Sequence, residues 1–319
     1  MQATLGSRVR GNDFMNPAFS VVFLTTLCGL GQGLFVMTLL GHIIGAQPRY
    51  LLLGSTLAFL LAAFGLIASF FHLGRPERAW RSIMQFRTSW LSREVIALPV
   101  FMGLVVLYWL ALRSGSDSAL VIGIVAFAAC VALWICTGMI YTCLAFIQEW
   151  ASPYTMANFI LISLASGSTL ALCVALFSDW GLVHMLAYLS VLLTISAGLV
   201  RGASLLRNAQ LKPKSTLQSA IGIANAKITQ RSMGATGGSF NTREFFHGQT
   251  MAFLRSIKWL FIALTFVVPV LLLVIALNGA PSFLVLFAML AQAVGLVFER
   301  WFFFAQARHP QNLYYQVVS

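Results

Sequence analysis

The chain has 319 residues, of which 59% are hydrophobic and only 9% charged, with 26 phenylalanines. So little polar surface excludes a soluble globule and points to a polytopic membrane protein. A formal charge of +12 would suggest nucleic acid in a soluble protein, but here the basic residues stand beside apolar runs, where they set topology and meet membrane lipids; nucleic acid is not an expected partner.

Residues 1–16 are polar, and the first apolar run is too long for a cleaved signal, so the first helix is expected to be retained as the insertion signal. A span needs about 20 predominantly apolar residues. Eight segments satisfy this, near 18–45, 50–72, 94–112, 119–147, 156–177, 183–206, 258–278 and 282–304. The expected fold is all-α, one integral membrane domain over 1–319 with eight transmembrane helices, the fourth long enough to tilt or project beyond the bilayer. Eight spans put both termini on one side. Eighteen of the twenty Lys and Arg fall on that side, against Arg49 and Arg113 on the other. The positive-inside rule then places both termini, the connection 73–93 and the long connection 207–256 in the cytoplasm.

In the first span, Gly29, Gly31, Gly33, Gly41 and Gly45 surround Gln32. The glycines suit close helix packing. Gln32 needs a buried partner, either another helix or a ligand carbonyl.

The stretch HLGRPERAWRSIMQFRTSWLSRE (72–94) carries five of the twenty basic residues, two of the eight acids and one of the five histidines. Such a cluster at one membrane edge is the prime candidate for a functional site. Pro76 to Phe86 reads as a short amphipathic helix in the interface plane: Arg75, Arg78, Arg81 and Gln85 share one face, Trp80, Ile83 and Met84 another. Glu94 falls just inside the third span. It must pair with a cation such as Arg93, snorkel, or take up a proton. His72 lies on the same side, and an imidazole and a carboxylate near one cavity can exchange protons near neutral pH.

After the fourth span, YTCLAFIQEWASP (141–153) has no basic residue. Trp150 reads as an aromatic-belt anchor, and Tyr141 as either a core ring or a hydroxyl directed at the same cavity. Ser152 and Pro153 resemble an N-cap and first turn. The connection 207–256 starts basic, has a short helix expected around 215–229, loosens at GATGGS (234–239), and then runs into FNTREFFHG (240–248), which suits docking of another protein. Glu299 and Arg300 in the last span are adjacent, point about 100° apart and need not pair.

The five cysteines lie in apolar runs without a CxxC, so neither structural zinc nor an iron–sulfur cluster is expected within this chain. Haem b would need axial histidines; His42 and His184, near the far ends of the first and sixth spans, are the candidates, and haem is not predicted. Charge gathered at one edge favours a quinone-binding anchor of an electron-transfer complex. A transporter, the main alternative, usually keeps its polar groups at the midplane between inverted repeats. A purely structural anchor is the third reading.

HLGRPERAW (72–80), TSWLSRE (88–94), NTREFFHG (241–248) and ERWFFFAQARHPQNLYY (299–315) resemble the dimethyl sulfoxide reductase anchor-subunit family, related to the polysulfide-reductase-type membrane subunits. The resemblance covers all eight spans. It implies a three-subunit complex in the bacterial inner membrane, with the metal cofactors on the cytoplasmic side, held by a molybdopterin catalytic subunit and a ferredoxin-like iron–sulfur subunit. The anchor binds ubiquinone or menaquinone. The matching family histidine and glutamate, here His72 and Glu94, are implicated at the quinone, and Arg78, Tyr141 and Gln32 are further expected contacts. The long basic connection and FNTREFFHG are similar to anchors of cytoplasmic sulfite-oxidising enzymes, which implies quinone reduction with electrons from sulfite. The alternative within the family is a quinol-oxidising anchor of a dimethyl sulfoxide reductase.

Overall fold

The computed structural model describes residues 17–71, 73, 75–212, 214, 216–223, 228, 249–279 and 281–308. Its described residues hold eight helices long and apolar enough to cross a membrane. These are α1 (Phe19–Ile43), α2 (Pro48–Phe70), α3 (Trp90–Ser114), α4 (Ala119–Thr142), α5 (Pro153–Ser178), α6 (Val183–Ala209), α7 (Met251–Leu277) and α8 (Phe283–Ala305). All eight expected spans are present, and no strand occurs among the described residues.

α1 and α5 form the centre of the bundle and are the most buried spans. Lipid tails are as apolar as leucine, so the helices are held by close contact and buried polar bonds rather than by the hydrophobic effect. The closest contact is the crossing of Gly33 on α1 with Gly167 on α5. A β-carbon on Gly33 would lie 1.8 Å from the Ser163 carbonyl oxygen, and one on Gly167 would lie 2.1 Å from Gly33 C. At the far end, Asp179 ties two connections together, its carboxylate accepting from Gln47 N at 2.8 Å and from Gly181 N at 3.1 Å.

Several expected boundaries shift for identifiable reasons. α4 stops at Thr142 instead of projecting, and residues 143–152 fold back as turns. Trp150 anchors this return by donating from Nε1 to the Phe303 carbonyl at 3.0 Å. α5 starts as its residues imply, with Ser152 accepting from Tyr154 N and Pro153 in the first turn. The amphipathic segment is a 3-10 helix, Pro76–Gln85, rather than an α-helix. After α6, the helix expected near 215–229 is confined to Leu217–Ile221, begun by a Thr216 capping box and ended by left-handed Gly222. α7 begins earlier than hydropathy suggests, at a Thr250 cap.

α7 contains a π-helical turn, Ala263–Val267, followed by Pro269. Proline has no N–H for the carbonyl four residues back, that of Thr265. Gln292 of α8 occupies this position instead, Nε2 donating to the Thr265 carbonyl at 3.3 Å.

Candidate functional site

Ser89 caps α3 by accepting from Ser92 N, which places Glu94 at the start of the second helical turn and directed into the bundle. There the Thr137 hydroxyl donates a short hydrogen bond to Glu94 Oε1. The anticipated ion pair with Arg93 does not form. Arg93 turns back to the 3-10 segment, donating from Nε to the Phe86 carbonyl at 2.9 Å and from Nη2 to the Arg87 carbonyl at 2.8 Å, with its guanidinium 4.2 Å from the Trp90 ring centre. Among the described residues no cation lies within ion-pair distance of Glu94.

Glu94, Thr137, Gln32, Cys28 and Trp134 border an internal cavity of about 20 Å³. That is room for about one water. Gln32 reaches it from α1 and donates from Nε2 to the Cys130 carbonyl at 3.3 Å, so its helix partner is α4. The indole N–H of Trp134 is buried without a partner among the described residues. The cavity thus combines a carboxylate, a hydroxyl, an amide and a free donor in an apolar wall.

The structure distributes the other expected site residues differently. Tyr141 is one helical turn beyond Thr137 but belongs to an aromatic cluster, stacked on Phe159 at 5.5 Å and edge-on to Trp150 and Phe303 at 5.3 Å each. Phe159 is shared, since it also lines the cavity. Arg78 does not line the cavity; its half-exposed side chain lies 3.9 Å from Glu77. His72 and the FNTREFFHG stretch lie outside the described residues. On the far side, Nδ1 of His42 is 3.0 Å from the Tyr108 hydroxyl, while His184 is exposed at the start of α6.

Thr137 and Trp134 are not among the residues expected from sequence. Their spacing with Tyr141, three and four residues, does put all three on one stripe of α4. That stripe was legible, but nothing in it named Glu94 as the facing group.

A larger opening lies on another face of α1. Phe23 and Leu27 of α1 and Phe64, Ile67 and Phe71 of α2 line an open apolar groove of about 510 Å³. Groove-lining and cavity-lining residues of α1 lie about 140° apart around the helix. The groove ends at Phe71, the residue before His72.

A second polar centre, not foreseen from sequence, joins α6 to α8. Glu299, fully buried, stands 2.8 Å from Arg201 Nε and 3.3 Å from Arg300 Nη1. Contrary to the expectation from helix geometry, the adjacent Glu299 and Arg300 do pair, because long side chains bridge the angle between their Cα–Cβ bonds. Arg300 also lies 4.1 Å from the Phe159 ring centre, which connects this centre to the aromatic cluster.

Outside the spans, Glu149 in the 143–152 turns accepts from Arg308 N at 3.4 Å. Burial raises its carboxyl above the ordinary range, partly opposed by hydrogen bonds from its own backbone and from Arg308 and by the charges of Arg308 and Arg207.

Residues 15–315 match the family described as DMSO reductase anchor subunit (DmsC). The chain belongs to this family. The anchor is 46% identical over 325 residues to the third, C-lettered component of the sulfite dehydrogenase of Allochromatium vinosum, an alignment covering 96% of this chain and 100% of that relative. It is 32% identical over 129 residues to the anaerobic dimethyl sulfoxide reductase chain YnfH of Escherichia coli, covering 40% of this chain and 45% of the other. The protein is therefore a multi-span membrane anchor, as the resemblance implied.

Proposed function

We propose that the chain is the quinone-reactive membrane subunit of a three-subunit molybdopterin oxidoreductase. In this reading it passes electrons from a partner iron–sulfur subunit to ubiquinone or menaquinone during sulfite oxidation. The observation that carries the reading is Glu94, a carboxylate inside the membrane bundle, without a cation partner among the described residues and hydrogen-bonded by Thr137 beside a water-sized cavity. A group so placed suits proton exchange, and two-electron quinone reduction consumes two protons.

The residues fit a quinone in two parts. The cavity of about 20 Å³ admits no ring. The groove of about 510 Å³ is within the usual range for a ligand site, and its apolar walls suit an isoprenoid tail. Its end at Phe71 directs the ring toward the junction of α2 and α3, the edge that carries His72 and Glu94. When bound, quinone supplies the electron-accepting carbonyls. His72, and Arg78 on the adjoining segment, would bind and orient one carbonyl. Glu94 holds the proton, Thr137 fixes the carboxylate, and water in the cavity reaches Gln32 and the Trp134 N–H.

The charge asymmetry supports partner subunits in the cytoplasm, on the face formed by 73–93 and 207–256. The similarity over full length to a sulfite dehydrogenase subunit supports sulfite as the electron source, ahead of quinol oxidation for a sulfoxide reductase. The test is Glu94→Gln in the purified complex. Sulfite-dependent quinone reduction should fall by about 100-fold or more, the scale of a lost general acid–base group, while sulfite oxidation with an artificial dye stays unchanged. Equal loss of both activities would make Glu94 structural.

A further inference from the structure

We propose that the anchor has a second ligand site, a groove between α6 and α7 that binds an anionic phospholipid. One acyl chain lies along the groove, and the phosphate sits at its basic mouth. The site is distinct from the Glu94 edge and does not depend on the quinone reading.

The groove has a volume of about 380 Å³ and is lined mainly by apolar side chains, including Ile195, Leu199 and Leu205 of α6 and Val267 and Leu271 of α7. Leu199, Val267 and Leu271 are exposed on its lipid-facing side. From Ile195 to Leu205 the groove runs along α6 for about 15 Å, which is half the hydrocarbon thickness of a bilayer and so the reach of one leaflet's acyl chains. Its width has a local cause. The π turn of α7 contributes Phe266 and Val267, while α6 presents Gly198 and Gly202 opposite. A β-carbon on Gly202 would meet nothing within 4 Å.

Charge decides the kind of lipid. Arg255 and Lys258 precede groove-lining Ile262 by seven and four residues, so they extend its stripe of α7 beyond the end of the groove. Arg255 is exposed and Lys258 half-buried, and neither has a carboxylate partner among the described residues. Deeper in, Arg201 borders the groove, and its Nη2 has no hydrogen-bond partner among the described residues. Arg201 and Arg300 together face the single carboxylate of Glu299, leaving one net positive charge behind the groove wall. An apolar slot of one-leaflet length, closed at its mouth by unpaired cations, matches a phospholipid with a negative headgroup. A zwitterionic lipid or a quinone would satisfy the slot but not the mouth. Basic pockets between spanning helices are a recurrent form of lipid headgroup recognition.

The experiment uses the intact complex, delipidated in detergent, with phosphatidylglycerol, phosphatidylcholine or inorganic phosphate added. Retention is followed by native mass spectrometry and stabilisation by thermal denaturation. Phosphatidylglycerol should be retained and should stabilise, phosphatidylcholine much less, and phosphate alone not at all. Arg255→Gln and Lys258→Gln should each weaken retention roughly five-fold, the effect of one basic residue near an anionic lipid. Gly202→Leu, which fills the groove without a backbone clash, should weaken it with the basic mouth intact. Retention unchanged in Gly202→Leu would overturn the groove site, as would equal stabilisation by phosphate or phosphatidylcholine, or recovery of a quinone rather than a phospholipid from it.

Discussion

Replacing Glu299 with glutamine tests what the buried ionic centre contributes to stability. Glutamine keeps the shape and removes one negative charge. Arg201 and Arg300, 1% and 2% exposed, would then be two buried cations without a carboxylate between them. Each retains an aromatic ring, Arg201 at 5.4 Å from the Phe261 centre and Arg300 at 4.1 Å from that of Phe159. Such contacts are worth about 1–2 kcal/mol even when desolvated, too little to replace the carboxylate. Removing one partner of a buried ion pair typically costs about 3–5 kcal/mol, and Glu299→Gln should be destabilised by that amount. Arg201→Gln with Glu299→Gln restores the original net charge of the cluster and should recover most of the loss, leaving the double variant more stable than the single one. The assay is thermal denaturation in detergent, read as the fraction of monodisperse protein. A Glu299→Gln protein as stable as the parent, or a double variant no better than the single one, would refute the reasoning.

Two further outcomes follow from contacts nearer the proposed quinone site. Thr137→Val removes the hydrogen bond to Glu94 and should slow quinone-dependent turnover by on the order of ten-fold, a part of what a positioned proton donor contributes, with dye-linked activity unchanged; Thr137→Ser should restore turnover, and failure of that rescue would remove Thr137 from the mechanism. Because burial raises the Glu149 carboxyl in the folded protein, its ionisation opposes folding above the ordinary carboxylate range, and this penalty disappears as pH falls to where the unfolded carboxyl is protonated. Glu149→Gln should therefore raise the melting temperature at pH 7–8 and make no difference near pH 4, as followed by thermal scans across pH; a stabilisation confined to acid would contradict the assignment.

Much of the bundle is readable because a lipid solvent leaves few options. Backbone groups in hydrocarbon must bond internally, so an apolar run of sufficient length is a helix. Boundaries moved where local chemistry outweighed hydropathy: Trp150 binding Phe303 ends the fourth span early, and the Thr250 cap begins the seventh early. The site was partly readable. Glu94 stands out as a rare charge at a span edge, whereas its hydrogen-bond donor Thr137 is 43 residues away and ordinary in composition. Arg93 shows the limit of adjacency, since the neighbour expected to neutralise Glu94 instead binds carbonyls of the preceding segment.

Sequence by itself determined the solvent, the number of spans and the family, because these depend on apolar run length, charge placement and motifs that are local in the chain. Only the tertiary structure decided which buried polar groups share a space. Gln32 meets the Cys130 carbonyl, Glu94 meets Thr137, and Arg201 meets Glu299 across 98, 43 and 98 residues of sequence, respectively. Helix periodicity fixes the face on which a side chain stands. Which helix faces it is set by the packing of small residues such as Gly33 against Gly167, and that pairing is a property of the assembled bundle.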